Sequence, residues 1–104
     1  MNAGTLDRRI TIQQRTDARD AAGEPIPTWS TLAEVWAKLE SLQPYELAAT
    51  QLTQAEKPVR FYIRHRTDVD ETMRVSWDGE EWDIEGISEI GRREGLALIC
   101  KARP

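Results

Sequence analysis

The sequence predicts a mostly β protein, a small antiparallel barrel of about six strands with a long loop or short helix inserted between early strands. Three observations lead there. Short runs in which apolar and polar residues alternate recur along the chain. Asp78-Gly79 separates two of these runs, and such a pair is a strong two-residue hairpin signal. Nowhere do strands alternate with long amphipathic helices, as a parallel sheet requires. The 104 residues make one domain, spanning 1–104.

Ile10 and Ile12 alternate with Arg9, Thr11 and Gln13, so a half-buried strand is expected from about Leu6 to Arg15. Residues 17–25 are polar, carry Gly23 and Pro25 and show no period, which reads as a loop or wide hairpin connection. Pro27 to Ser30 reads as a short edge strand, because proline cannot donate to a ladder from the middle of a sheet. Val35, Ala37 and Leu39 form the inner face of a second strand, which leaves Trp36 on the opposite, charged face. Either a loop folded over Trp36 or a subunit contact is expected to cover it.

Residues 43–57 change character. Pro44 suits the first position of a helix and Glu46 its first turn. Tyr45, Ala48, Leu52 and Ala55 recur at helical spacing as a thin apolar stripe, and Pro58 ends the segment. A helix this short must pack on something or stay mobile.

Val59, Phe61 and Ile63 alternate with Arg60, Tyr62 and Arg64, the clearest strand in the chain. Met73, Val75 and Trp77 lead into Asp78-Gly79, and the run from Glu80 to Ile84 follows. A two-residue turn sets Trp77 against Glu80, Val75 against Trp82 and Met73 against Ile84. Apolar parity then shifts to Ile87, so Gly86 is the expected host of a bulge that bends the strand. Residues 91–95 read as a turn, and Leu96, Leu98 and Cys100 as the inner face of a last strand.

Fourteen Lys and Arg against eighteen Asp and Glu give a formal charge of −4, which argues against general charge-driven binding of nucleic acid. A mean hydropathy of −0.60 implies a small core that gains from burial against a partner. Cys100 is the only cysteine, so neither an internal disulfide nor a cysteine-based metal cage is expected. The first ten residues carry Asp7, Arg8 and Arg9 and lack the apolar core of a signal peptide. No run approaches the roughly 20 apolar residues of a membrane span. A soluble protein made in a cytoplasm, without membrane contact, is the expectation.

Reactive groups are sparse. His65 is the only histidine and has no second histidine or cysteine to complete a metal site, so a barrel-end or turn histidine is expected. Cys100 with His65 is the one thiol–imidazole combination, and a cysteine on an apolar strand belongs to a core. Asp68, Asp70 and Glu71 lack the pattern of a calcium loop and read as a solvated turn. No phosphate-binding glycine loop occurs. The sequence therefore predicts no cofactor, no metal and no catalysis.

Charge segregation carries more information. Residues 57–66 hold Lys57, Arg60, Arg64 and Arg66 and no acid, whereas 78–89 hold six acids and no base. The two strips either satisfy each other within the domain or meet between identical neighbours, a head-to-tail contact that closes into a ring. The candidate neighbour contacts are Trp36, Arg60, Arg64, Glu81 and Asp83.

The order and spacing of several short elements resemble a known family. They are Gly4 to Ile12; Asp20 and Gly23 before Trp29; Val35-Trp36-Ala37; Arg60 to Arg64; Arg74 before Trp77-Asp78-Gly79; Trp82-Asp83-Ile84; and Leu96 to Cys100. Together they are similar to the head–tail joining proteins of tailed bacteriophages, also called head-closure or stopper proteins.

The resemblance implies a small β-barrel whose copies form a twelve-fold ring in the virion neck, assembled in the host bacterial cytoplasm. The implied partners are other copies of the chain, a portal or adaptor protein above and a tail-completion or tail-tube protein below. Packaged double-stranded DNA passes through the ring without sequence-specific binding. In stopper members a long inserted segment points into the channel and closes it. The matching segment here is 43–57, with Tyr45, Ala48, Leu52 and Ala55 as its gating residues. Other readings stay open. One is a tail-completion role. Another is a small SH3-like module that binds a peptide or single strand through Tyr62, Arg60 and Arg64. A third is a hydrolase or metal-dependent enzyme, which would need His65 and has no motif in the sequence to start from.

Overall fold

The computed structural model describes residues 6–19, 21–50 and 58–102, with the side chains of 17–19, 27 and 50 left aside. The described elements run β1 (Arg8–Arg19), β2 (Pro25–Ser41), α1 (Pro44–Thr50), β3 (Val59–Arg64), β4 (Arg74–Trp77), β5 (Glu80–Ile90) and β6 (Gly95–Ala102). The strands close into an antiparallel barrel in the order β1-β2-β3-β6-β5-β4. The expected fold class is the observed one, and the helix sits between β2 and β3.

The alternating residues point inward as the sequence implies. Ile10 and Ile12 of β1, Ala37 of β2, Phe61 and Ile63 of β3, Val75 of β4, and Leu98 and Cys100 of β6 are fully buried. Phe61 is the hub of an aromatic cluster. It meets Trp77 at 5.9 Å and Trp82 at 6.2 Å between ring centroids, both edge-on, the geometry that the ring quadrupoles favour.

The β4–β5 hairpin has the expected register, with Trp77 opposite Glu80 and Val75 opposite Trp82. Beyond the ladder, the Ile84 amide donates to the Met73 carbonyl at 3.5 Å. Asp78 and Gly79 take φ of 54° and 79°, both left-handed as a type I′ turn requires. The β5–β6 ladder slips between Ile84 and Gly86, passing from Ile84–Cys100 to Gly86–Ile99. The bulge therefore falls where the apolar parity changes. It puts Ile84 and Ile87 against the same wall although they are three positions apart, an odd offset in a two-residue period.

Two expectations need correction. Residues 17–19 are strand rather than loop, and the short strand at 27–30 is part of a single 17-residue β2. Together the two strands form a long hairpin whose outer part, residues 14–19 against 25–30, leaves the barrel as a two-stranded ribbon. None of the described side chains of that ribbon belongs to the core cluster, and its sequence carries no two-residue period. Pro25 and Pro27 are tolerated because β2 has only β1 as neighbour there. The molecule is correspondingly elongated, 47 × 29 × 25 Å.

The helix is described over Pro44–Thr50; Leu52 and Ala55 lie outside the described residues. The two described residues of its apolar stripe do not face the barrel: Tyr45 is 76% exposed and Ala48 is exposed, while Glu46 and Leu47 are half-buried. Alanines contribute too little burial to set the helix's orientation, and an ion pair at Glu46 sets it instead.

Candidate functional site

The inserted segment is held by polar contacts. Gln43 is the N-cap of α1: its carbonyl accepts from the Leu47 amide at 2.9 Å. Its own amide donates to Glu46 Oε1 at 3.1 Å, one half of a capping box. Glu46 Oε2 receives both terminal nitrogens of Arg60 on β3. The two side chains are only 13% and 20% exposed, so this pair is shielded from water and fixes the first turn to the barrel. Tyr45 and Ala48 are left on the outside.

The outer wall of β1, β2 and β3 carries the basic strip. Arg9 lies opposite Trp36 in the ladder, and its guanidinium sits over the indole at 5.3 Å. Arg64 follows the Ala37–Ile63 pair and so flanks Trp36 on the other side. Trp36 is 52% exposed, and Arg9 is the described side chain that stacks on it. Arg9, Trp36, Arg64 and His65 share an open cleft of about 360 Å³ with Glu34 and Arg66. Glu34 pairs with Arg9 at 3.7 Å. Arg66 turns away to a bidentate contact with Asp68, at 2.9 and 2.8 Å. That contact lowers the Asp68 pKa and raises that of Arg66. Further along the wall, Lys38 and Arg60 flank the Tyr62 ring at 6.0 and 5.4 Å. Burial pushes the Tyr62 phenol up, against the opposing pull of Arg60. A nucleic-acid base stacking on Tyr62 therefore has to displace one of these cations.

The acidic strip lies on β5. Trp82 and Ile84 point inward, so Glu81, Asp83 and Glu85 point outward. Glu85 pairs with Lys101 of β6 at 3.4 Å. Asp83 lies between Arg74 and Lys101 in the two ladders and is engaged. Glu81 lies opposite Ser76 and is exposed. The strips do not neutralise each other directly: β6 separates β3 from β5. Across that strand, among the described residues, His65 and Glu89 stand 3.9 Å apart, an ion pair when the imidazole is protonated.

The remaining reactive groups stay apart. Cys100 is fully buried opposite Val59 at the start of β3, while His65 follows its end. At about 3.3 Å per residue they are separated by most of a strand's length, so no nucleophile–base pair is built. Burial drives the thiol pKa far up, the reverse of what a reactive cysteine needs. Asp70 accepts from the Thr72 amide at 2.9 Å, which makes 68–72 a self-capped turn. Among the described residues no group of His, Cys, Asp and Glu is placed to hold a metal ion, and no helix is long and apolar enough to cross a membrane.

The fold sets two oppositely charged walls around a barrel to which the first turn of α1 is pinned. Comparison with known proteins identifies its lineage. The family model of phage head completion proteins matches residues 1–103. The chain belongs to that family. Head completion protein gp7 of Enterobacteria phage HK97 is 24% identical over 109 residues, covering 97% of this chain and 96% of the relative. Protein SF1141 from Shigella flexneri 2a, known from a solution structure, superposes with a TM-score of 0.81 at 30% identity, over 98% and 96% of the two chains. A chain of the virion of a native gene transfer agent particle superposes at 0.63 with 15% identity, over 92% and 93%, and shares the fold. The head completion family is the kind of phage protein the sequence resembles, and the barrel is its scaffold.

Proposed function

We propose that this head completion protein is a structural component of the neck of a tailed phage or prophage-derived particle. It assembles in the host cytoplasm as a ring of its own copies between the portal or adaptor and the tail, and the ring extends the DNA channel. The family match over residues 1–103 carries this reading. The surface supports it: a net charge of −4 disfavours retention of DNA phosphates, so the duplex slides rather than sticks. The role is structural rather than catalytic, which agrees with a buried thiol and a histidine remote from it.

Within that role, the segment beginning at α1 is the candidate gate. Tyr45 and Ala48 face outward and are free to meet other copies, with Leu52 and Ala55 continuing the stripe in sequence. Electron microscopy of particles assembled without this protein tests the reading. Filled heads that leak DNA and carry no tails are expected. Tailed, infectious particles would refute it.

A further inference from the structure

Around the closed barrel β2 and β5 are three strands apart in either direction. The Trp36–Arg64 cleft and the Glu81 face therefore lie on opposite walls of one molecule. Their charges are opposite, and within a chain they approach each other at the rim, where His65 stands 3.9 Å from Glu89 across β6.

The internal ion pairs decide which groups are left over. On the basic wall Arg60 is bound to Glu46 and Arg66 to Asp68. On the acidic wall Glu85 is bound to Lys101 and Asp83 is engaged. Arg64, the last residue of β3, and Glu81, near the start of β5, remain exposed. Beside Arg64 stands Trp36, a half-exposed indole whose burial against a neighbour removes a large apolar face from water.

We propose that the Arg9–Trp36–Arg64 cleft is the socket for the β5 wall of a second copy of this chain, with Arg64 meeting Glu81 across the contact. This rests on the neck reading and deepens it by assigning the contact between copies. Because donor and acceptor surfaces occupy opposite walls, the contact is heterologous: each copy offers its cleft to one neighbour and its Glu81 face to the other. Such a contact builds a ring where the rotation from copy to copy closes, which is what the neck reading requires. Opposed charge fixes the polarity of the contact, and Trp36 supplies its apolar centre. The alternative occupant, a DNA backbone, fits less well. Glu34 lies in the same cleft, and the molecule as a whole repels phosphate.

Cysteine crosslinking tests the contact in assembled particles, where copies meet at working concentration. The native Cys100 is buried and stays silent. Particles carrying Arg64→Cys together with Glu81→Cys in one chain are expected to give, under mild oxidant, a ladder of disulfide-linked multimers. Either single variant alone is expected to give none. Only Arg64–Arg64 position dimers, or no crosslink in particles that contain the protein, overturns the proposal. Charge exchange is the second arm. Arg64→Glu and Glu81→Arg are each expected to weaken incorporation about tenfold or more, and the double variant Arg64→Glu/Glu81→Arg to restore it. Unchanged incorporation of Arg64→Glu, with loss of binding to a short duplex oligonucleotide, would instead make the cleft a DNA site. Failure of the crosslink in particles that still depend on this protein for tails removes the contact and leaves the neck role standing. Tailed particles without the protein remove the role itself.

Discussion

Arg60 on β3 holds Glu46 on α1 through both terminal nitrogens, in an environment where the two side chains are 13% and 20% exposed. Residues fourteen apart in sequence are thereby locked across the start of the insertion. Removing one partner leaves a mostly buried charge without its counter-ion. Glu46→Ala should lower stability by about 1–3 kcal/mol and raise amide exchange at Leu47 to Ala49 well above the rest of the protein. Exchange that stays slow in that helix would mean the pair is dispensable for holding it.

Phe61 is the packing hub of the barrel. It is fully buried and lies edge-on to both Trp77 and Trp82. Phe61→Ala should cost about 3–5 kcal/mol, measured by denaturant unfolding, with a change in tryptophan emission in the folded state. A loss below about 1 kcal/mol would show that the cluster collapses into the space left behind.

Gly79 needs its conformation more than its size. Its φ is +79° and an added Cβ meets nothing within 4 Å, so the penalty of a side chain there is purely backbone strain. Gly79→Ala should lower the unfolding free energy by about 1–2 kcal/mol without changing the dependence on denaturant. Gly86 makes the matching control, since open space also surrounds it and its φ is not left-handed.

Acid titration should report the 66–72 turn. Asp68 and Asp70 both lie below the ordinary value of 3.8, Asp68 through its hydrogen bond from Arg66 and Asp70 through those from Thr72. Depressed folded-state values mean that their contribution is present above about pH 4 and is lost as pH falls through the folded values. Asp70→Asn should therefore lower stability at neutral pH and flatten its further loss below about pH 4. An equally steep acid limb in the variant would assign that loss to other carboxyls.

Much of the barrel is legible in the sequence because one face of each strand meets the core. Phe61 and Ile63, Val75 opposite Trp82, and Leu98 with Cys100 declare their strands by alternation alone. The turn at Asp78-Gly79 and the bulge beside Gly86 are readable for a related reason: local chemistry forces them. The ribbon is not readable. Ile26 and Trp29 lie on a strand with no core beneath it, and two prolines imitate a loop. The candidate site is legible only as composition. Two charged strips can be seen in sequence, but their opposition depends on β3 pairing with β6 and on β1 closing against β4. Both are long-range pairings without a local signature. Nor does spacing indicate that Arg60 serves Glu46 while Arg64 stays free.

Closure of the sheet also governs how the molecule behaves when crowded. Around the barrel most strands have a neighbour on each side, so little backbone there can recruit a foreign strand. The longest single-sided stretch is the ribbon, and on it Pro25 and Pro27 withhold two donors from β2. Fibril-like stacking is blunted at its main point of entry, and copies packed together are left to recognise one another through side chains.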